Sequence, residues 1–453
     1  MHLFGMSLVQ VTNVAVLLGF ILGGTTMFWF LYKLHKNYTI ALIGGALFTF
    51  SSYHFAHAQG HLQLVSLEFI PLFFLSFWTL LEKMRYRYAA GAAVSLFLVL
   101  LCDYYYLLWS IIVAGLWFVW VLYRKQIKLT RQHLRVLGVF LLLVVILVGP
   151  LMYKLVHLNK TDPLVGGHNP LEFSLDPLMI FFPGGSWYWH SLTDNFTMHL
   201  PYLAESSNFF GYGLLSVLGF GLYKFVTNLK KPQIPHWLSF WWLIAFVFGL
   251  MSLGPRFTFL QRHVDRIPMP YAIAEHVLPT LKISGMPLRW ILITLMASIV
   301  IVTYWLNNLN LTTRKGRLLL ALFVAVSIID LWPRRLPLTS PAYRQYVYEL
   351  ERLPYGAVID NGALSGAEQL YNQTLHNKPQ AFGYVTRLTK SVDEKDFHIF
   401  AALEEHHYDS LCRDYKIRYI TLPTERPLAN TTFPVIYNDG QTLIYDLKNS
   451  PNC

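Results

Sequence analysis

Long apolar stretches alternate with short polar ones through the first three quarters of the chain. Apolar runs fall at 8–32, 38–52, 62–81, 88–102, 104–123, 136–157, 209–226, 237–254, 287–306 and 317–332. At 1.5 Å per residue, most of these runs cross a hydrocarbon layer of about 30 Å if they are helical. The pattern predicts an all-α polytopic membrane bundle of about ten transmembrane helices over residues 1–332. Runs 38–52 and 88–102 are short, and both end beside polar residues. Beyond Trp332 the pattern changes to that of a mixed α/β domain, 333–453. Ala357-Val358-Ile359 and Ile417-Arg418-Tyr419-Ile420 read as strands, and 341–353 and 392–412 as helices. Asn438-Asp439-Gly440 between two β-prone runs predicts a tight hairpin.

Charge gives the bundle a direction. One set of loops carries Lys33 and Lys36; Lys83, Arg85 and Arg87; Arg124, Lys125, Lys128, Arg131 and Arg135; Lys230 and Lys231; Arg314 and Lys315. The alternate set, including the long loops 158–208 and 255–286, is much poorer in cations for its length. The positive-inside rule therefore places the first set in the cytoplasm, with the N-terminus and residues 333–453 outside. Charged residues are only 13% of the chain, against about 25% in a soluble domain, and the net charge of +11 belongs to cytoplasmic loops. No nucleic-acid partner is implied; membrane lipid is. Cys102, Cys412 and Cys453 are widely spread without a CxxC, which reads as free thiols.

Polar residues on the outer side are the candidates for chemistry, because charge at membrane depth is costly. His54, His57 and His61 lie between the second and third runs. A helix continuing through Gly60 would put His57 and His61 on one face. Two histidines do not make a metal site without a third ligand, so no cofactor is expected and a divalent metal stays open. Glu68 lies seven residues inside the third run, and Asp103 closes the hairpin after the short run 88–102. Arg289 opens a span, where a guanidinium suits a lipid phosphate. Walker, GxSxG and HExxH motifs are absent, so no nucleotide site is implied; if a sugar is transferred, its donor should be lipid-linked, since nucleotide sugars are cytoplasmic and these polar groups face out.

Several stretches, in order, resemble a known family. They are Phe48-Thr49-Phe50-Ser51-Ser52-Tyr53-His54-Phe55-Ala56-His57 with Gly60-His61-Leu62, Glu205 with Phe210-Gly211-Tyr212-Gly213, Pro270-Tyr271, Pro287-Leu288-Arg289, and Tyr371-Asn372-Gln373-Thr374-Leu375-His376. Together they are similar to the YfhO-like bacterial multi-span proteins of the C-type (GT-C) polyprenyl-phosphate-sugar glycosyltransferase superfamily. The resemblance implies a bacterial cytoplasmic-membrane protein. It would transfer a sugar from a polyprenyl-phosphate donor to an envelope glycan, lipid or protein acceptor at the outer face. It puts Asp103 and Glu205 forward as catalytic acids, and His54, His57, His61, Glu68, Tyr271 and Arg289 as substrate-binding residues. The chain departs from the pattern in having Gly285 where the family often has a basic residue. It also begins where the family's first outer loop, with its catalytic acid, would be ending, so this chain alone is expected to transfer no sugar. The alternatives are a non-catalytic membrane partner binding a polyprenyl lipid or glycan, or a transporter or flippase.

Overall fold

The computed structural model describes residues 5–165, 168–197, 208–227, 234–260, 262–278, 281, 285–335, 338–385, 387–429 and 433–449, with backbone alone at 265, 266 and 268. All ten apolar runs contain helix. Among the described residues, five helical segments are long and apolar enough to cross a membrane: Leu8–His35, Tyr38–His57, Tyr104–Tyr123, Arg131–Thr161 and Pro287–Asn307. Tyr86–Cys102, Tyr212–Thr227 and His236–Ser252 are shorter apolar helices. The chain divides into two compact units, Met1–Lys154 with His168–Pro337, and Leu155–Gly167 with Leu338–Cys453.

The first unit is built around the Ile291–Asn307 helix, which is apolar on every face and 83% buried over its span. It packs against Tyr38–Thr49, Tyr212–Thr227 and His236–Ser252. His35 Nε2 lies 3.0 Å from Thr303 Oγ1, and Asn37 donates to Asn307 at 2.9 Å, which fastens the first helical hairpin to this axis. The hairpin itself closes tightly because Gly24 and Gly45 face each other. A Cβ on Gly45 would lie 2.7 Å from the Gly24 carbonyl oxygen. Arg131–Thr161 is the opposite case. Only 17% of its span is buried, and Leu141, Leu142, Val145 and Ile146 present bare apolar surface of the kind lipid covers.

One apolar run is corrected here, and two outer loops are filled in. The run 62–81 is not one helix: a turn at Leu62–Val65 is followed by a break at Ser66–Glu68, and the helix restarts at Phe69–Lys83. The helix does not continue through Gly60 either; Ser52–His57 ends before it. The loop 255–286 holds an antiparallel hairpin, Arg256–Phe259 with Arg262–Pro268. Its Arg, His and Asp residues hide the period-2 pattern among polar side chains.

The second unit carries a four-stranded sheet ordered Ala357–Asp360, Ile417–Pro423, Thr442–Asp446, Val435–Asn438. The first pair is parallel and the others antiparallel, with the hairpin turning at Asn438–Gly440. Residues 379–381 bond to the free edge of Ala357–Asp360 through Val358 and Ala381. The expected helix 392–412 is two helices, Lys390–Glu404 and Tyr408–Tyr415, parted where His406 takes a positive φ of 62°. Leu164–Val165 pairs with Leu388–Thr389, and Asp162 accepts from Ser391 N–H at 3.0 Å and from its hydroxyl at 2.5 Å. Cys412 is disulfide-bonded, which corrects the reading of three free thiols; Cys102 is free.

Candidate functional site

The helix Tyr38–Thr49 ends at Phe50, and Ser51 restarts the chain by accepting the His54 N–H. The short helix that follows turns Tyr53 and His57 inward, both nearly fully buried. His57 Nδ1 bonds the Tyr53 carbonyl at 2.7 Å, and its ring stacks on Tyr53 with centroids 4.1 Å apart. The His61 ring lies 6.0 Å from that of His57, although a turn rather than a helix joins them.

Asp103 stands between two helices in extended backbone and caps the second, Tyr104–Tyr123, by accepting the Tyr105 N–H at 2.7 Å. That cap starts the helix so that Tyr105, Tyr106 and Trp109 share one side. Tyr106 is fully buried; its hydroxyl donates to the Leu64 carbonyl at 2.7 Å and lies 3.5 Å from that of Tyr53. The same hydroxyl is within electrostatic reach of both Asp103 and Arg289. Arg289 is only 6% exposed, and its guanidinium carbon lies 6.0 Å from the Tyr105 ring centre. A 3-10 turn, Pro287–Trp290, delivers it at the head of the central helix. Trp290 then links Trp109 (5.8 Å), Phe248 (5.2 Å) and Tyr271 (6.4 Å) into one aromatic wall.

His57, Asp103 and Arg289 are thus linked through intervening tyrosines, Tyr53 and Tyr106 on one side and Tyr105 on the other, with the His61 ring near that of His57. Glu68 sits just before the Phe69–Lys83 helix, at its N-cap, rather than seven residues inside one. It is 7% exposed, its Oε2 has no hydrogen-bond partner among the described residues, and it shares with Asp103 an electrostatic interaction with Cys102. Two residues are placed away from ligand chemistry. His54 is fully buried with its ring nitrogens 2.8 Å and 2.9 Å from the Thr49 and Val65 carbonyl oxygens, stacked on Phe20 at 3.9 Å; it is a strut between backbone segments. Tyr271 is fully buried, and its hydroxyl donates to the Leu281 carbonyl. Glu205 lies outside the described residues.

What sequence reading passed over was the aromatic lining. Tyr105, Tyr106 and Trp109, spaced by three and four, carry the signal of a shared helix face. Among the described residues, no group of three or more His, Cys, Asp or Glu side chains is placed to hold a metal ion.

A family profile described as a domain of unknown function, DUF6311, matches residues 4–332, essentially the whole helical part. The chain belongs to the DUF6311 family. The match takes in every described residue of the cluster and ends before the four-stranded sheet. No curated protein matches the sequence.

Chemically, the cluster offers a buried guanidinium, carboxylates at its margin, imidazoles and four tyrosine or tryptophan faces. A buried cation needs an anionic or strongly accepting partner to stay charged. Aromatic faces beside it suit the apolar faces of a sugar ring or an isoprenoid chain.

Proposed function

We propose that this DUF6311 protein is a membrane glycosyltransferase of the GT-C kind. In this reading about ten helices span the membrane, and the cluster around Arg289 holds the phosphate of a polyprenyl-phosphate sugar at the extracytoplasmic face. The observation that carries the reading is the burial of Arg289 beside the Tyr105 ring, with Arg289 and Asp103 both acting electrostatically on Tyr106. A guanidinium fork binds a phosphate through two parallel bonds and stabilises it as it leaves the anomeric carbon. Asp103 is the described carboxylate best placed to take a proton from an acceptor hydroxyl, and a general base of that kind contributes about 10²–10⁴-fold. The disulfide at Cys412 supports an oxidising location for the second unit, in keeping with the charge of the loops.

The test uses the full chain reconstituted in vesicles. Binding of a polyprenyl-phosphate sugar is compared with that of the matching uncharged polyprenol, and sugar transfer is assayed with envelope acceptors. Arg289→Ala is expected to weaken binding of the phosphate lipid at least tenfold. Arg289→Lys should recover part of it, because a point charge replaces the fork. Equal binding of lipid with and without the phosphate would sink the reading. Binding without transfer, unchanged in Asp103→Asn, would establish the non-catalytic partner instead.

A further inference from the structure

A cavity of about 500 Å³ opens at the other end of the same helices. Glu68 and Asp103 mark where Phe69–Lys83 and Tyr104–Tyr123 begin; Trp78, Glu82, Trp117 and Trp120 line the cavity near their ends. From Asp103 to Trp120 is about 25 Å along the helix, so the two sites are separate.

Five aromatic rings, Trp78, Trp117, Trp120, Trp237 and Phe240, form its walls, and the rim is the 124–130 segment with Gln126, Lys128 and Thr130. Its one lining carboxylate, Glu82, is already engaged: Lys33 Nζ lies 2.5 Å from Oε2, and Trp78 Nε1 donates to Oε1 at 2.7 Å. Arg124 is held by His236 and lies over the Trp120 ring. Lys128 is exposed at the rim, and its ammonium makes no bond to another described residue. Residues 124–135 carry five arginines and lysines and no acid. A wall of tryptophan beneath a cationic rim matches one chemistry: an anionic head above apolar chains.

We propose that this cavity is a binding site for an anionic membrane phospholipid. Its phosphate lies at Lys128, and the upper parts of its acyl chains lie against Trp78, Trp117 and Trp120. A free phosphate would leave the aromatic walls wet, and a zwitterionic lipid would leave the rim charge uncompensated. The site stands independently of the one at Arg289.

Native mass spectrometry of the purified full-length chain tests the proposal. Titration with phosphatidylglycerol is expected to fill one site well before phosphatidylcholine does. Lys128→Glu should raise the apparent Kd about fivefold or more, and Gln126→Trp, which fills the cavity from an exposed loop position, should abolish the tight site. Lys315→Glu, in the first turn of the Arg314–Asp330 helix, and Arg289→Ala should leave it unchanged. Equal retention of the two phospholipids, or indifference to Lys128→Glu, overturns the proposal. So does displacement of phosphatidylglycerol by millimolar inorganic phosphate alone, or by equimolar polyprenyl phosphate, which would make the occupant a bare anion or the carrier lipid.

Discussion

Asp360 shows how much one buried polar side chain organises. It ends the first strand of the C-terminal sheet at 1% exposure. It accepts from Thr421 at 2.6 Å, Tyr346 at 3.0 Å and Asn372 at 2.9 Å. Burial, with Asp360 alongside, pushes the Tyr346 hydroxyl well above its ordinary range, so it remains a donor. Asp360→Ala would strand three donors and should destabilise this unit by about 2–4 kcal/mol, seen as earlier proteolysis of the C-terminal unit in the full chain. His376 provides a second test. Its Nδ1 accepts the Lys378 N–H at 3.0 Å, and burial lowers its pKa from 6.5 to about 4. A histidine whose folded pKa is depressed takes up its proton on unfolding. Its stabilising contribution is therefore full above pH 6.5 and is lost as pH falls towards 4. Thermal unfolding of the C-terminal unit should show a fall in Tm across that window, and the fall should shrink in His376→Gln. If the variant keeps the wild-type profile, another group is responsible.

Among the elements, helix packing and helix starts carry separable predictions. The Gly24–Gly45 approach leaves no room for a side chain, so Gly45→Leu should force the first two helices apart and lower the yield of folded, detergent-extracted protein several-fold; Gly91→Leu, in open space, should not. The Asp103 cap can be told apart from any chemical role. Asp103→Asn keeps a capping oxygen, whereas Asp103→Ala loses about 1 kcal/mol of helix stability. Both should abolish any proton transfer, and only the second should lower Tm. Which segments were helical was legible from sequence because an apolar run in a membrane has few alternatives. Where those helices break was not. The stop before Gly60 and the restart at Glu68 rest on His54 bridging Thr49 and Val65, a contact between residues that no periodicity links. Likewise the proximity of Arg289 to Tyr105 depends on how the central helix docks, whereas Asp103 as a turn residue was readable from its position alone.

For the whole molecule, sidedness is the decisive expectation. With Cys102→Ser as background, Leu129→Cys and Thr374→Cys both sit at exposed positions. An impermeant thiol reagent applied to intact cells should modify Thr374→Cys and spare Leu129→Cys; the opposite result would invert the map drawn from the basic loops. The division into two units was only partly legible. The change of pattern after Trp332 was plain, but nothing local marks Leu155–Gly167 as part of the second unit, since it reads as the end of the run 136–157 and the start of the loop 158–208.

That shared segment has a consequence for how the protein is made. Asp162 and Ser391 are 229 residues apart in sequence, so at elongation speeds of about 5–20 residues per second roughly ten to fifty seconds pass between their emergence from the ribosome. Throughout that interval the Leu164–Val165 strand has no Leu388–Thr389 to pair with, and presents an open edge while further helices are still entering the bilayer. Completion of the second unit therefore waits on residues 388–391, and a chain interrupted before them keeps that edge unpaired.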